Sequence, residues 1–234
     1  NEKGYKNLVL KNRNELDLQD FIAVENFFYK NKPDVVVIAA ATVGGIKSNN
    51  NNPVNFILNN LKIQNNIIEM AWKYKTRRLL FLGSSCIYPK NSIQPIKEEY
   101  LLTGKLEETN QWYAIAKIAG MKLCEALRKQ YGFDAISVMP TNLYGPGDNF
   151  NLENSHVLPA LLRKFYEAKL YSKNEVLCWG SGKPRREFMY IDDLSEFINF
   201  IIDNNVNVNL LNIGSGYEIT IKELALKIKD IVGF

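Results

Sequence analysis

Cysteine is scarce in this chain. Only Cys86, Cys124 and Cys178 occur in 234 residues, far apart and without a CxxC pair. That argues against a disulfide framework or a structural zinc site, and no metal site is expected; a reducing cytoplasm is the natural setting. A dominant charge is also lacking. The 29 Lys and Arg against 25 Asp and Glu leave +4, scattered without a basic arm or stripe. This argues against nucleic acid or an anionic membrane as partner, although a small positive excess helps attract a doubly phosphorylated ligand. No signal-peptide pattern opens the chain, and apolar runs such as Val35 to Ala41 are too short to span a bilayer. What remains, 46% apolar and 23% charged, is ordinary globular composition, enough for one large domain or a domain with a small lobe.

Apolar runs alternate with amphipathic stretches. Strands are expected at Asn7–Leu10, Asp34–Ala39, Arg78–Gly83, Ala135–Met139, Val176–Trp179, Phe188–Ile191 and Leu210–Ile213. The β-branched run Asp34–Ala39 suits a strand buried on both faces. Helical spacing covers Glu15–Lys30, Pro53–Tyr74 with Pro53 in its first turn, Gln111–Tyr131 closed by Gly132, and Val157–Ala168. A further helix starts near Asp192, and a last one spans Thr220–Val232 with Thr220 as N-cap. Ser48–Asn52 and Asn204–Asn209 read as polar loops. This alternation predicts right-handed βαβ units and a doubly wound parallel sheet, an α/β fold whose ligands bind beyond the carboxyl ends of the strands.

Chemistry-bearing residues follow those strand ends. Tyr113 and Lys117 stand four apart on one helix, and an ammonium beside a phenol favours the phenolate. Tyr113 is therefore a candidate general acid at a carbonyl oxygen, and Lys117 a candidate for holding a ribose hydroxyl. YxxxK alone also arises from a surface lysine beside a half-buried tyrosine. Here a strand ends in Gly83-Ser84-Ser85-Cys86 one helix upstream, where a serine hydroxyl can donate to the same carbonyl. Cys86 shares that turn, where an electropositive setting would favour its thiolate. Cys124 and Cys178 read as small buried hydrophobes. His156, the single histidine, follows Asn154-Ser155 in a polar loop rather than on an apolar face. Arg185-Arg186 offers two cations to a diphosphate.

Strand-Ser-Ser-x-x-Tyr followed by YxxxK resembles the extended short-chain dehydrogenase/reductases. The longer strings LGSSCIYPK (82–90), YAIAKIAG (113–120), MPTNLYGP (139–146), NSHVLPALLR (154–163) and WGSGKPRREF (179–188) resemble the GDP-L-fucose synthase branch of that family, and the likeness runs from about Asn7 to Phe234. It implies a Rossmann-type sheet with a smaller C-terminal substrate-binding lobe. It implies NADPH as cofactor, a GDP-linked 4-keto-6-deoxy sugar as substrate, a homodimer, and 3,5-epimerisation followed by 4-reduction.

Position by position, the resemblance makes Ser84, Tyr113 and Lys117 the reductive triad and Cys86 with His156 the acid/base pair for epimerisation. Cofactor contacts fall on Leu82, Gly83, Ser84, Ser85, Lys117, His156 and the segment Pro140, Thr141, Asn142 and Leu143. Arg13, near Lys11 and after the first expected strand, matches the reader of the 2′-phosphate, which favours NADP over NAD. Lys164, Trp179 and Arg186 match contacts to the GDP-sugar, Lys164 standing where some members carry Arg.

Residues 1–150 are expected to form the cofactor domain and 151–234 most of the substrate region, with strands returning to the sheet. The family's opening strand and glycine-rich turn are not found: Gly4 is the only glycine before Gly44, and Gly44-Gly45 lacks the GxxGxxG spacing. The chain is thus expected to be truncated at both ends. Alternatives are a 4-epimerase or a 4,6-dehydratase of the same fold, the latter commonly showing Asp-Glu where Ser85-Cys86 stands. A non-catalytic dinucleotide-binding regulator is a third, against which the retained Ser84, Tyr113 and Lys117 argue.

Overall fold

The structure, a computed structural model, describes residues 4–234, the side chain of Lys47 apart. In chain order the elements are α1 (Phe21–Asn31), β1 (Val35–Ile38), α2 (Ile46–Asn51), α3 (Pro53–Lys73), β2 (Arg78–Leu82), α4 (Gln111–Tyr131), β3 (Ala135–Pro140) and β4 (Asn142–Tyr144). They continue with α5 (Val157–Leu170), β5 (Arg185–Tyr190), α6 (Ile191–Asp203), β6 (Leu210–Ile213), β7 (Glu218–Thr220) and α7 (Ile221–Val232). A 3₁₀ turn, Ser85–Ile87, follows β2 directly.

A four-stranded sheet runs in the order β1-β2-β3-β6 with every neighbour parallel. All four carboxyl ends therefore open on one edge. Strand period two divides the core between the faces of this sheet. Leu79, Phe81, Ala135 and Met139 meet α1, α3 and α4 on one side. Leu80, Ile136 and Val138 meet α6 on the other. This is the doubly wound arrangement that the βαβ alternation predicts. Each fully buried large side chain here contributes roughly 1.5–3 kcal/mol relative to exposure.

A second sheet, β4-β5-β7, is mixed: β4 pairs with β5 in parallel, and β5 with β7 antiparallel. It packs with α5 and α7 through Leu161, Phe165, Leu224, Ala225 and Ile228. α7 starts where expected: Thr220 accepts from Glu223 N at 3.1 Å, and the Glu223 carboxylate accepts from Thr220 N at 2.9 Å, a complete capping box. Gly132 closes α4 at φ 68, a left-handed position where glycine bears no Cβ penalty.

Several expectations are corrected. Asn7–Leu10 is not a strand; among the described residues it pairs with no other segment, and Leu10 is 82% exposed. Val176–Trp179 is not a strand either, because no neighbour takes its backbone groups; the Leu177 carbonyl accepts from Lys164 Nζ at 3.0 Å instead. The helix expected from Glu15 begins at Phe21. Asp20 caps it by accepting from Ala23 N at 3.0 Å, while Glu15 N and Leu16 N turn back to the Asn12 carbonyl. Ser48–Asn52 is largely helical, inside α2. β1 is not buried on both faces: Ile38 is buried against the α3 side, but Val37 is 39% exposed, since no described helix covers the other face at this edge strand. Among the described residues no helix is long and apolar enough to cross a membrane.

Candidate active site

β2 delivers the first group. Its last residue, Leu82, leads through Gly83 into the 3₁₀ turn. Gly83 N donates to Val138 O at 2.8 Å, holding the turn against β3. A Cβ on Gly83 would lie 2.2 Å from the Met139 sulfur, so a larger residue would displace the Met139 side chain. Ser84 caps the turn: its Oγ accepts from Cys86 N at 3.4 Å. That bond uses a lone pair, and the Ser84 hydroxyl also hydrogen-bonds the Cys86 thiol, which favours the ionised sulfur.

α4 brings Tyr113 and Lys117 to the same edge. Lys117 is 3% exposed, and its Nζ donates to the Leu82 carbonyl at 2.8 Å. The same nitrogen lies 4.8 Å from the Phe81 ring centroid and 5.7 Å from that of Tyr113. Phe56 of α3 packs against Tyr113 edge to face, with ring centroids 6.5 Å apart.

The electrostatics differ from expectation. Burial, followed by the neighbouring Cys86, pushes the Tyr113 phenol above its ordinary range rather than below it. The lysine faces the ring and the Leu82 carbonyl, so it does not offset desolvation of the phenolate. Burial lowers Lys117 to about 8, against the opposing pull of Cys86. Burial also raises the Cys86 thiol to about 11, with Ser84 and Lys117 acting the other way. Cys86 is therefore a thiol, not a preformed thiolate, at neutral pH. Ser84, Cys86, Tyr113 and Lys117 form one interacting cluster at the carboxyl end of β2.

The other expected residues sit around this cluster at varying remove. Pro140 ends β3, and Thr141 N donates to Ile213 O at 3.1 Å. Asn142 and Leu143 start β4, with Asn142 Nδ2 donating to Glu187 O at 2.9 Å. His156 is exposed at the N-cap position of α5 and makes no side-chain cap bond. Its loop is tied toward the cluster: Gly45 N donates to Asn154 O at 3.0 Å, and a Cβ on Gly45 would sit 3.0 Å from Ser155 O. A Cβ on adjacent Gly44 would sit 3.2 Å from the Phe56 ring that touches Tyr113. Gly44-Gly45 thus bridges the histidine loop and the tyrosine.

Lys164 and Trp179 are brought together, Nζ lying 4.2 Å from the ring centroid, and the indole is 66% exposed. Arg186 is on β5, with a backbone carbonyl as its recorded partner. Arg13 lies in an exposed turn within 3.9 Å of Asp17, and nothing brings it to the cluster. The expected buried Cys178 is exposed, because its segment joins no sheet, whereas Cys124 is buried. A concavity of about 520 Å³ lined by Pro89, Lys90, Tyr100 and Glu108 contains none of these side chains.

Sequence reasoning missed Glu187. Its Oε1 accepts from Gly216 N at 2.7 Å and Ser215 Oγ at 3.3 Å, fastening the turn after β6 beside Asn142. A carboxylate one residue before the apolar Phe188-Met189, with Gly-Ser-Gly downstream, was the available signal.

The arrangement fits a nicotinamide cofactor. The Thr141 Oγ1 is buried without a partner at the end of β3, a site that suits an amide or hydroxyl of a ligand. Lys117 has three donors and spends one on Leu82 O, leaving two for a ribose.

Known proteins resemble this chain in sequence and fold. The model of the NAD dependent epimerase/dehydratase family matches residues 1–214. GDP-L-fucose synthase 1 of Arabidopsis thaliana is 57% identical over 233 residues, covering 100% of this chain and 72% of that protein. The solved structure of MlghC, a GDP-mannoheptose C4 reductase from Campylobacter jejuni with NADP bound, is 41% identical at a TM-score of 0.93, covering 100% of this chain and 78% of that one. A GDP-L-fucose synthetase from Naegleria fowleri bound to NADP is 33% identical at a TM-score of 0.87, covering 97% and 70%.

Proposed function

The chain belongs to the NAD dependent epimerase/dehydratase family, and from that premise we propose that it acts as a GDP-L-fucose synthase. It converts GDP-4-keto-6-deoxy-D-mannose to GDP-L-fucose by epimerisation at C3 and C5 and NADPH-dependent reduction at C4. One observation carries the reading: a single cluster holds both a reductive set, Ser84, Tyr113 and Lys117, and an extra thiol, Cys86. A plain 4-epimerase or ketone reductase needs only the reductive set, whereas a double epimerisation calls for a further proton-transfer group beside it.

The 4-keto group acidifies the protons at C3 and C5, and Cys86 with His156 exchanges them. The Ser84 O–H turns from the Cys86 thiol to donate to the ketone oxygen, its lone pair being engaged by Cys86 N. Tyr113 keeps its proton at neutral pH and gives it to the oxygen at C4 as the alcohol forms. Lys117 holds the ribose and stays locked to β2 through Leu82 O. NADPH, when bound, supplies the hydride to C4. Thr141 and Asn142 line the nicotinamide, and Arg13 receives the 2′-phosphate. Lys164, Trp179 and Arg186 take the GDP-sugar, on the side of the molecule formed by residues 151–234.

Two copies pair through the apolar residues left exposed on α3 and α4, Val54, Leu58, Trp112 and Ile115. Free cysteines at all three positions suit the cytoplasm.

The test incubates the protein with GDP-4-keto-6-deoxy-D-mannose and NADPH and identifies the sugar by NMR. GDP-L-fucose formed in equal amount to the NADPH oxidised is expected. A product with unchanged C3 and C5 would leave only a reductase, and no NADPH oxidation together with no deuterium exchange at C3 and C5 would sink both halves.

A further inference from the structure

Gln64 of α3 and Gly120 of α4 lie outside the reacting groups, yet both touch the elements that aim them. Gln64 is 2% exposed, and its Nε2 donates to the Ala116 carbonyl at 2.6 Å. Ala116 immediately precedes Lys117. That carbonyl lies in the middle of α4, where the helix already supplies it with a backbone partner. The bond therefore satisfies no orphan of the helix. It pins the rotation of α4 against α3.

Gly120 stands three residues after Lys117, on the same helix face. A Cβ there would lie 2.7 Å from the tip of the Phe81 ring, and 2.7 and 2.8 Å from Cδ and Nε2 of Gln64. Neither neighbour is free to yield. Phe81 is fully buried in β2, and Gln64 is buried and hydrogen-bonded. The Phe81 ring is also the face on which Lys117 Nζ rests, at 4.8 Å. The contacts thus run Gln64, Gly120, Phe81, Lys117 without a gap.

A second feature separates this contact from ordinary packing. The Gln64 Oε1 is buried with no partner. Such an orphan is destabilising, whereas an apolar side chain of the same shape would carry no such penalty. On stability alone this position favours Met or Leu. A buried amide kept at that cost is explained by what its other end does, which is to hold Ala116.

We propose that Gln64 and Gly120 are positioning residues for the reduction: they fix the height and rotation of α4 on β2, so that Lys117 Nζ meets the Leu82 carbonyl and Tyr113 is held at the carboxyl end of β2. This rests on the reading of Tyr113 and Lys117 given under Proposed function. Any Cβ at 120 lifts α4 away from β2 and admits solvent to Lys117. Loss of the Gln64 amide lets α4 rotate.

The experiment compares Gln64→Met, Gly120→Ala and the control Leu127→Ala, which truncates a buried side chain of α4 outside this chain of contacts. Three readouts are taken on the intact protein: NADPH consumption with the 4-keto sugar, thermal stability, and the ¹⁵N shift of Lys117 Nζ against pH without ligands. Gln64→Met is expected to lose roughly tenfold or more in kcat with little change in KM, while its Tm stays level or rises. Gly120→Ala is expected to lose kcat similarly. In both, the Lys117 titration should move up toward the ordinary lysine range. Leu127→Ala should lower Tm and leave the titration in place. The inference is overturned if Gln64→Met and Gly120→Ala keep wild-type kcat and an unmoved Lys117 titration, or if their losses follow Tm as the control's do. The titration needs no turnover. A wild-type protein inactive on this sugar, in which Lys117 still responds to both substitutions, would count against the proposed substrate and for the positioning.

Discussion

Lys117 Nζ donates to the Leu82 carbonyl at 2.8 Å, joining the middle of α4 to the last residue of β2. One hydrogen bond thereby couples the helix that carries Tyr113 to the strand that carries Ser84 and Cys86. The lysine is buried, and burial lowers its pKa to about 8 from 10.5.

That shift gives a stability prediction with a definite sign. Below about 8 both folded and unfolded chains hold the Lys117 proton, and the buried ammonium weighs fully against folding. Between about 8 and 10.5 the unfolded chain binds the proton and the folded chain does not, so this group's contribution to stability rises with pH. Lys117→Met should therefore stabilise the ligand-free protein at pH 7, by on the order of 2 kcal/mol. The gain should shrink as pH rises through that window. Hydride transfer should fall by about 10²-fold or more. Urea denaturation at several pH values, paired with NADPH oxidation, checks both; a gain that grows with pH would contradict the assignment.

Tyr113→Phe removes one hydroxyl and keeps the ring against Phe56. The variant should retain its Tm and its NADPH affinity while reduction falls by roughly 10²–10⁴-fold. Normal NADPH consumption would remove Tyr113 from the proton-donor role.

The cysteines should separate by reactivity. Cys178 is exposed and should react first with iodoacetamide, while Cys124, buried in the core, should stay unmodified in the folded protein. Cys86, raised to about 11 by burial, should react slowly at pH 7, its rate rising about tenfold for each unit the pH is raised toward that value. Peptide mass spectrometry reads all three. Cys86 labelling as fast as Cys178 at pH 7 would mean that the thiol is already ionised.

Arg78 begins β2 and gathers distant backbone around itself. Its Nε donates to Asp134 at 2.7 Å, and its guanidinium reaches the carbonyls of Ile201, Asn204 and Val206 at the end of α6. Asp134 also accepts from Arg128 at 2.8 Å. Arg78→Met strands these buried acceptors and should cost about 3 kcal/mol in chemical denaturation. The activity of the remaining folded fraction should be unchanged, since none of these groups belongs to the reactive cluster. A loss below about 0.5 kcal/mol would show that water replaces the guanidinium at little cost.

The periods and end signals of this chain determine most of its elements. The β-branched and apolar runs around residues 35, 79 and 136 favour strands and form them, and the YAIAK spacing places Tyr113 and Lys117 on one helix face. Thr220 and Gly132 mark helix ends because their chemistry is local: a hydroxyl reaching the amide of Glu223, and a residue tolerant of positive φ. Asn7–Leu10 and Val176–Trp179 have the same local preference and form no strand, because a strand exists only with a neighbour to take its hydrogen bonds, and adjacency is a tertiary fact. The site divides in the same way. Residue types and spacing name Ser84, Cys86, Tyr113 and Lys117 as chemistry-bearing groups. Their protonation was decided by folding, since desolvation raises Tyr113 and Cys86 and lowers Lys117, and burial depends on what α3 and α4 bring over the end of β2.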